Sequence, residues 1–258
     1  MERDFVLNHK NLTIPCKLTV PDEGVIKRVV LGVHGFGGSS EDTIQTAIAE
    51  EMELFYAATL RFDFPAHGNS PLNSDSFTLA NCIDALLCAA RFAKDEFPQV
   101  EDLCIFATGF GAYVTLISLQ DLLEFPGRIR LVVQTPSVLM HDTLLSMANI
   151  SRETLWAMEH FTFRAKRPFD VTYHFYEELR ENLALTTYPI PILILHGEED
   201  KYIRQSDILN FHRINEQSKL VIIPGTSHQF MESGAWDMVL DLTRDWFEFE
   251  QVLLDGWD

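Results

Sequence analysis

Six short apolar runs punctuate the chain: RVVLGVHG (28–35), AATLRFDF (57–64), LCIFAT (103–108), RIRLVVQT (128–135), IPILILHG (190–197) and KLVIIPG (219–225). RVVLGVHG, a short apolar run ending in glycine, suits a strand buried on both faces. Segments with helical spacing separate the runs. TIQTAIAEEMELF puts Ile44, Ala47, Ile48 and Met52 on one face. The next helical segment puts Leu79, Ile83, Leu86, Leu87 and Ala90 on one face, with Thr78 placed to cap its start. Shorter helices are predicted from about Phe110 and over Ser206–Ile214, and a terminal one carries Trp236, Val239, Leu240, Trp246 and Phe247. An antiparallel hairpin, DFVLN and LTIPCKLTV joined near Asn8–Asn11, precedes them all. Strands alternating with helices predict an α/β fold, a mostly parallel sheet covered on both faces. A length of 258 residues suits one such domain around one core.

The rhythm breaks between about residues 136 and 188, a stretch longer than ordinary connections and rich in aromatics (Trp156, Phe161, Phe163, Phe169, Tyr173, Phe175 and Tyr176). An insertion of that length predicts a cap over a binding site. A net charge of −18, with acids spread along the chain, argues against nucleic-acid or anionic-membrane partners. Cys16, Cys82, Cys88 and Cys104 form no C-x-x-C pair and read as structural thiols of a reducing cytoplasm. The start, MERDFVLNHK, has no apolar run of a signal peptide, and no stretch nears the roughly 20 apolar residues of a membrane span.

In a parallel sheet, ligands gather beyond the carboxyl ends of the strands. Four such ends carry suggestive residues. HGFGGS (34–39) has glycines that let backbone N–H groups face a pocket and hold an oxyanion. CIFATGFGAYVTL (104–116) reads as strand, sharp turn and helix, a form that ordinarily carries Gly-x-Ser-x-Gly with the serine at the apex. Here the apex is Gly109 and the segment runs Ala107-Thr108-Gly109-Phe110-Gly111. In LHGEEDKYI, Asp200 lies four residues past His196, and in PGTSHQF, His228 follows the last predicted strand. Elbow, acid, histidine is the chain order of one hydrolase triad. No Cys/His cluster has metal-ligand spacing, and GFGGS lacks the dinucleotide fingerprint, so no cofactor is expected.

With GVHGFGGS, LRFDFPAHGNS, the elbow, LILHGEED and IPGTSHQF, the chain resembles the α/β-hydrolase superfamily over essentially its whole length. Within it, the chain resembles the bacterial cinnamoyl/feruloyl esterase branch, which carries a segment very similar to RFDFPAHGNS. The resemblance implies that Asp200 orients His228, that His228 is the general base, and that the N–H groups of Phe36 and Phe110 form the oxyanion hole. It implies a cap tyrosine, Tyr176, against an aromatic acyl group. His34, Arg61, Asp63 and His67 would hold the loops around the site. The expected partner is a small ester or aromatic ligand. The departure is at the nucleophile: glycine for serine removes a group whose loss costs on the order of 10⁶ in kcat. Thr108 is one residue off the apex and is expected to point away from His228, and Cys104 lies inside the strand, so neither is expected to replace it. Three readings follow: an esterase whose nucleophile has been replaced, a non-catalytic binder using the same pocket, or an enzyme whose His228–Asp200 pair acts without an acyl-enzyme.

Overall fold

The computed structural model describes residues 1–255. The amino-terminal hairpin is β1 (Glu2–His9) and β2 (Leu12–Thr19). Then come β3 (Arg28–Val33), α1 (Thr43–Leu54), β4 (Ala57–Phe62), α2 (Leu79–Glu96), β5 (Asp102–Thr108), α3 (Gly109–Ile117), a short α4 (Leu119–Leu122) and β6 (Arg128–Gln134). Five elements follow before the sheet resumes: α5 (Met140–Ala148), α6 (Arg152–Met158), β7 (His160–Phe163), β8 (Phe169–Thr172) and α7 (Tyr173–Glu181). The chain then re-enters the sheet with β9 (Ile192–Gly197), α8 (Gln205–Ile214), β10 (Lys219–Ile223) and α9 (Ala235–Asp255).

Eight strands form one sheet in the order β1-β2-β4-β3-β5-β6-β9-β10. Only β1–β2 and β2–β4 pair antiparallel; every other pairing in that sheet is parallel. This is the α/β-hydrolase arrangement. Strand residues alternate between two cores, because successive side chains leave a strand on opposite faces. Val29, Leu31 and Val33 join Leu103, Ile105, Leu131 and Val133 beneath α2 and α3. Val30, Cys104, Phe106, Val132 and Leu193 pack with Ile48 and Met52 of α1 and Val239, Trp246 and Phe247 of α9. The continuous apolar runs are thus explained by burial on both faces. The Thr78 hydroxyl accepts the N–H of Asn81 at 3.2 Å, capping α2 as its position predicts.

Register brings the functional loops together. Val33 pairs with both Phe62 and Ala107, Thr108 with Gln134, Gln134 with Leu195, and Gly197 with Ile223. The carboxyl ends therefore align along one edge, and the loops after β3, β4, β5, β6, β9 and β10 share it.

The stretch between β6 and β9 lies against that edge. Within it β7 and β8 pair antiparallel, with Phe161 opposite Val171 and Phe163 opposite Phe169. Alternating apolar residues give this ribbon one packed face. Arg167, at its turn, donates to the Ser70 carbonyl and, at 2.7 Å, to that of Leu72. The Asp170 N–H reaches Ser74 Oγ at 2.9 Å. The ribbon is thereby tied to the loop after β4.

Candidate active site

The His34 ring shapes the first loop. Its Nδ1–H donates to the Gly35 carbonyl at 2.8 Å while Nε2 accepts the Phe64 N–H at 3.1 Å. Asp63 holds the neighbouring turns, accepting from Ser40 N at 2.7 Å and Asn69 N at 2.8 Å. Arg61 donates to the Ser40 carbonyl and to Thr46 Oγ1, both at 3.0 Å, and contacts Glu2. His67 is buried, with its ring 4.3 Å from that of Phe169, and Nδ1 donates to the Pro65 carbonyl at 2.9 Å. These four residues serve the loops. Phe36, between them, packs its ring at 4.8 Å from Phe163 and 5.6 Å from Phe110.

The elbow keeps its geometry without its side chain. Gly109 has a φ of +48°, the left-handed region that costs a side-chain-bearing residue about 1–3 kcal/mol. A Cβ placed there would meet nothing closer than the Gly35 Cα at 4.0 Å. Gly111 is glycine for another reason: a Cβ there would lie 2.3 Å from the His34 carbonyl oxygen and 2.7 Å from that of Val33. That close approach seats α3 against the end of β3. Phe110 stands second in α3, so its N–H has no carbonyl within the helix to bond. It lies at the helix end where partial positive charge accumulates.

The loops after β9 and β10 bring together two residues 28 positions apart. His228 Nδ1 lies 2.7 Å from Asp200 Oδ2. Asp200 is fully buried on its side chain, and its other oxygen accepts the N–H groups of Tyr202 at 2.8 Å and Ile203 at 3.0 Å. Burial pushes its pKa up, but the His228 bond and these two N–H groups outweigh it and hold the carboxyl below its usual range. An ionised Asp200 requires the proton on His228 Nδ1, which leaves a lone pair on Nε2. His196 lies behind, with Nδ1 4.0 Å from Asp200 Oδ2, and burial depresses its pKa, so it stays neutral. Tyr202 meets the His228 ring edge-on at 5.3 Å.

Gly109, Phe110, Phe36 and His228 all line one cleft of about 790 Å³. Phe161, Phe163, Met140, Met147 and Trp236 supply apolar wall, and Asp42, Gln134 and Thr135 supply polar groups. Four sequence-predicted positions thus meet in one place, and a fifth, Asp200, stands directly behind the His228 ring. Tyr176 lies elsewhere. It is 3% exposed, and its ring faces Tyr173 at 5.8 Å and His141 at 6.4 Å. The reason is the face of α7: Phe175, Tyr176 and Leu179 all turn inward, so the helix spends this tyrosine on packing. The cap aromatics at the cleft are Phe161 and Phe163 of the ribbon. Tyr202 was missed by sequence reasoning, and its place two residues after Asp200 was the available signal.

Among the described residues no group of three or more His, Cys, Asp or Glu could hold a metal ion. Among them, too, no helix is long and apolar enough to cross a membrane.

The model of the α/β-hydrolase family matches residues 30–241. No curated protein matches the chain in sequence. Among solved structures, a protein described as a hydrolase from Agrobacterium vitis S4 superposes with a TM-score of 0.79 at 16% identity, over 95% of this chain and 98% of that one. Est1E from Butyrivibrio proteoclasticus with ferulic acid bound superposes with a TM-score of 0.76 at 20% identity, over 96% and 99%. The mouse α/β hydrolase domain-containing protein 10 does so at 0.74 and 15% identity, over 95% and 98%. At these identities the likeness is one of fold.

Proposed function

Because the chain belongs to the α/β-hydrolase family, whose model spans residues 30–241, we propose that its cleft is a carboxylic-ester hydrolase site for small or aromatic acyl esters, with Gly109 at the nucleophile position. The observation that carries this reading is the 2.7 Å bond between His228 and buried Asp200, on the cleft that Gly109 also lines. Burying a carboxylate behind one imidazole carries a desolvation cost. Desolvation is repaid when the imidazole takes a proton and becomes a cation.

The roles follow. The ester carbonyl sits over Gly109 with its oxygen toward the N–H groups of Phe36 and Phe110. Each such donor lowers the barrier by about 3–4 kcal/mol as negative charge develops on that oxygen. Phe161 and Phe163 suit a flat aromatic acyl group, the shape of the ferulic acid that is bound to Est1E. Among the described residues Cys16, Cys82, Cys88 and Cys104 form no disulfide, in keeping with a cytoplasmic location. Without a hydroxyl at residue 109 the acyl-enzyme route is closed.

The test is a side-by-side assay of the parent and Gly109→Ser on short-chain nitrophenyl esters and a hydroxycinnamate methyl ester. The serine variant is expected to exceed the parent by about 10³ or more in kcat, since a triad nucleophile contributes on the order of 10⁶. It is also expected to be labelled by a phosphonate at residue 109. A folded Gly109→Ser protein that, like its parent, is no faster than buffer on every ester would overturn the reading.

A further inference from the structure

We infer that the chain as it stands hydrolyses activated esters by direct attack of water, with His228 as general base and no covalent intermediate. This inference rests on the ester-site reading above. Its grounds are geometric and concern the space at residue 109. The elbow holds its left-handed φ of +48° although no side chain demands it, and a Cβ there would have 4.0 Å of clearance. The space that a CH₂OH group would fill opens into the same cleft that His228 and Phe110 line. A water oxygen is about the size of a serine hydroxyl, and at that place it stands between the Nε2 lone pair and a carbonyl over the elbow. His228 is poised for it, because ionised Asp200 keeps the proton on Nδ1.

The step balances. The water oxygen bonds to the carbonyl carbon as one of its protons passes to His228 Nε2. The carbonyl π pair moves to oxygen and is held by the N–H groups of Phe36 and Phe110. The tetrahedral species then collapses, the carbon–oxygen bond to the leaving group breaks, and the leaving oxygen takes the proton back from His228. The products are one carboxylic acid and one alcohol. Covalent catalysis is lost, so only acyl groups on good leaving groups, such as aryl esters, turn over at a useful rate.

The test uses the full chain and 4-nitrophenyl acetate. Oxyanion stabilisation and binding alone leave about 10³–10⁴ over uncatalysed hydrolysis when a serine is removed, and general-base help adds about 10²–10⁴. The parent is therefore expected to turn over linearly, with no burst, no acylated protein by mass spectrometry and no inhibition by a serine-directed phosphonate. His228→Ala is expected to fall about 100-fold or more, while the other eight histidines remain to report any nonspecific imidazole catalysis. Gly109→Ala puts a methyl group where the water sits and is expected to fall at least about tenfold, with circular dichroism confirming its fold.

The inference is overturned if the parent is no faster than buffer, if His228→Ala retains the parent rate, or if the phosphonate abolishes it. A dead parent beside an active Gly109→Ser variant sinks this inference and leaves the ester-site reading standing. An active, His228-dependent parent that Gly109→Ser does not improve leaves the inference and the ester-site reading standing and removes only the acyl-enzyme route.

Discussion

Mild acid should expose how His67 is held. Its ring is 2% exposed, wedged against Phe169 and Phe77, and its pKa is pushed down to about 3. Burial is the main cause; the adjacent His34 and Arg167 act in the same direction, and the bond to the Pro65 carbonyl opposes them. In the unfolded chain the same ring titrates near about 6.5. The native state thus binds this proton more weakly, so stability from His67 is complete above about pH 6.5 and is lost as the pH falls from there toward 3. Between pH 7.5 and 5.5 the unfolded ring gains about one pKa unit's worth of proton binding that the folded ring does not. That is a loss of about 1.4 kcal/mol. The figure holds for any native pKa below about 4.5, so it does not lean on the full depth of the shift.

The perturbation is His67→Gln, which retains an N–H donor for the Pro65 carbonyl and cannot titrate. Urea unfolding at pH 7.5 and 5.5 is the assay for both proteins. The variant starts about 1–2 kcal/mol less stable from poorer packing. Its loss between the two pH values should be smaller than the parent's by about 1.4 kcal/mol. His196 and His141, also depressed by burial, titrate alike in both proteins and cancel in the difference. Equal losses in the two proteins would mean that His67 takes its proton in the folded state, and the account of a dry ring would be wrong.

Three further outcomes are expected. Gly111→Ala drives a Cβ to 2.3 Å from the His34 carbonyl oxygen, and chemical denaturation should show a loss of about 3 kcal/mol or more as α3 is pushed from β3. In a Gly109→Ser background that recovers activity, Asp200→Asn should lower kcat by about 10⁴, because the amide no longer fixes the proton on His228 Nδ1. Thr78→Ala removes the acceptor for the Asn81 N–H and should cost about 1 kcal/mol, read as a fall of about 2–4 °C in Tm.

Much of this protein was written locally. A strand buried on both faces needs a continuous apolar run, and an amphipathic helix needs its 3.6-residue stripe, so the alternation that defines the sheet could be read residue by residue. The same holds for the elbow apex, where Gly109 marks a left-handed backbone few residues tolerate, and for the order of Asp200 and His228 along the chain. Other features were set only by packing. The ribbon of Phe161–Phe163 and Phe169–Val171 is short, and what makes it a ribbon is the face it shares with Phe36 and His67 and the anchors from Arg167 and Asp170. The resemblance implies Tyr176 against a ligand, and the rotation of α7 against its neighbours put it beside Tyr173 and His141 instead. The ionisation of Asp200 depends on N–H groups from its own loop and on a histidine brought from beyond the next strand. Residue type and spacing carry periodicity and backbone freedom, which act within a few positions. Burial, side-chain facing and proton affinity depend on neighbours distant in the chain, and only the assembled fold supplies those.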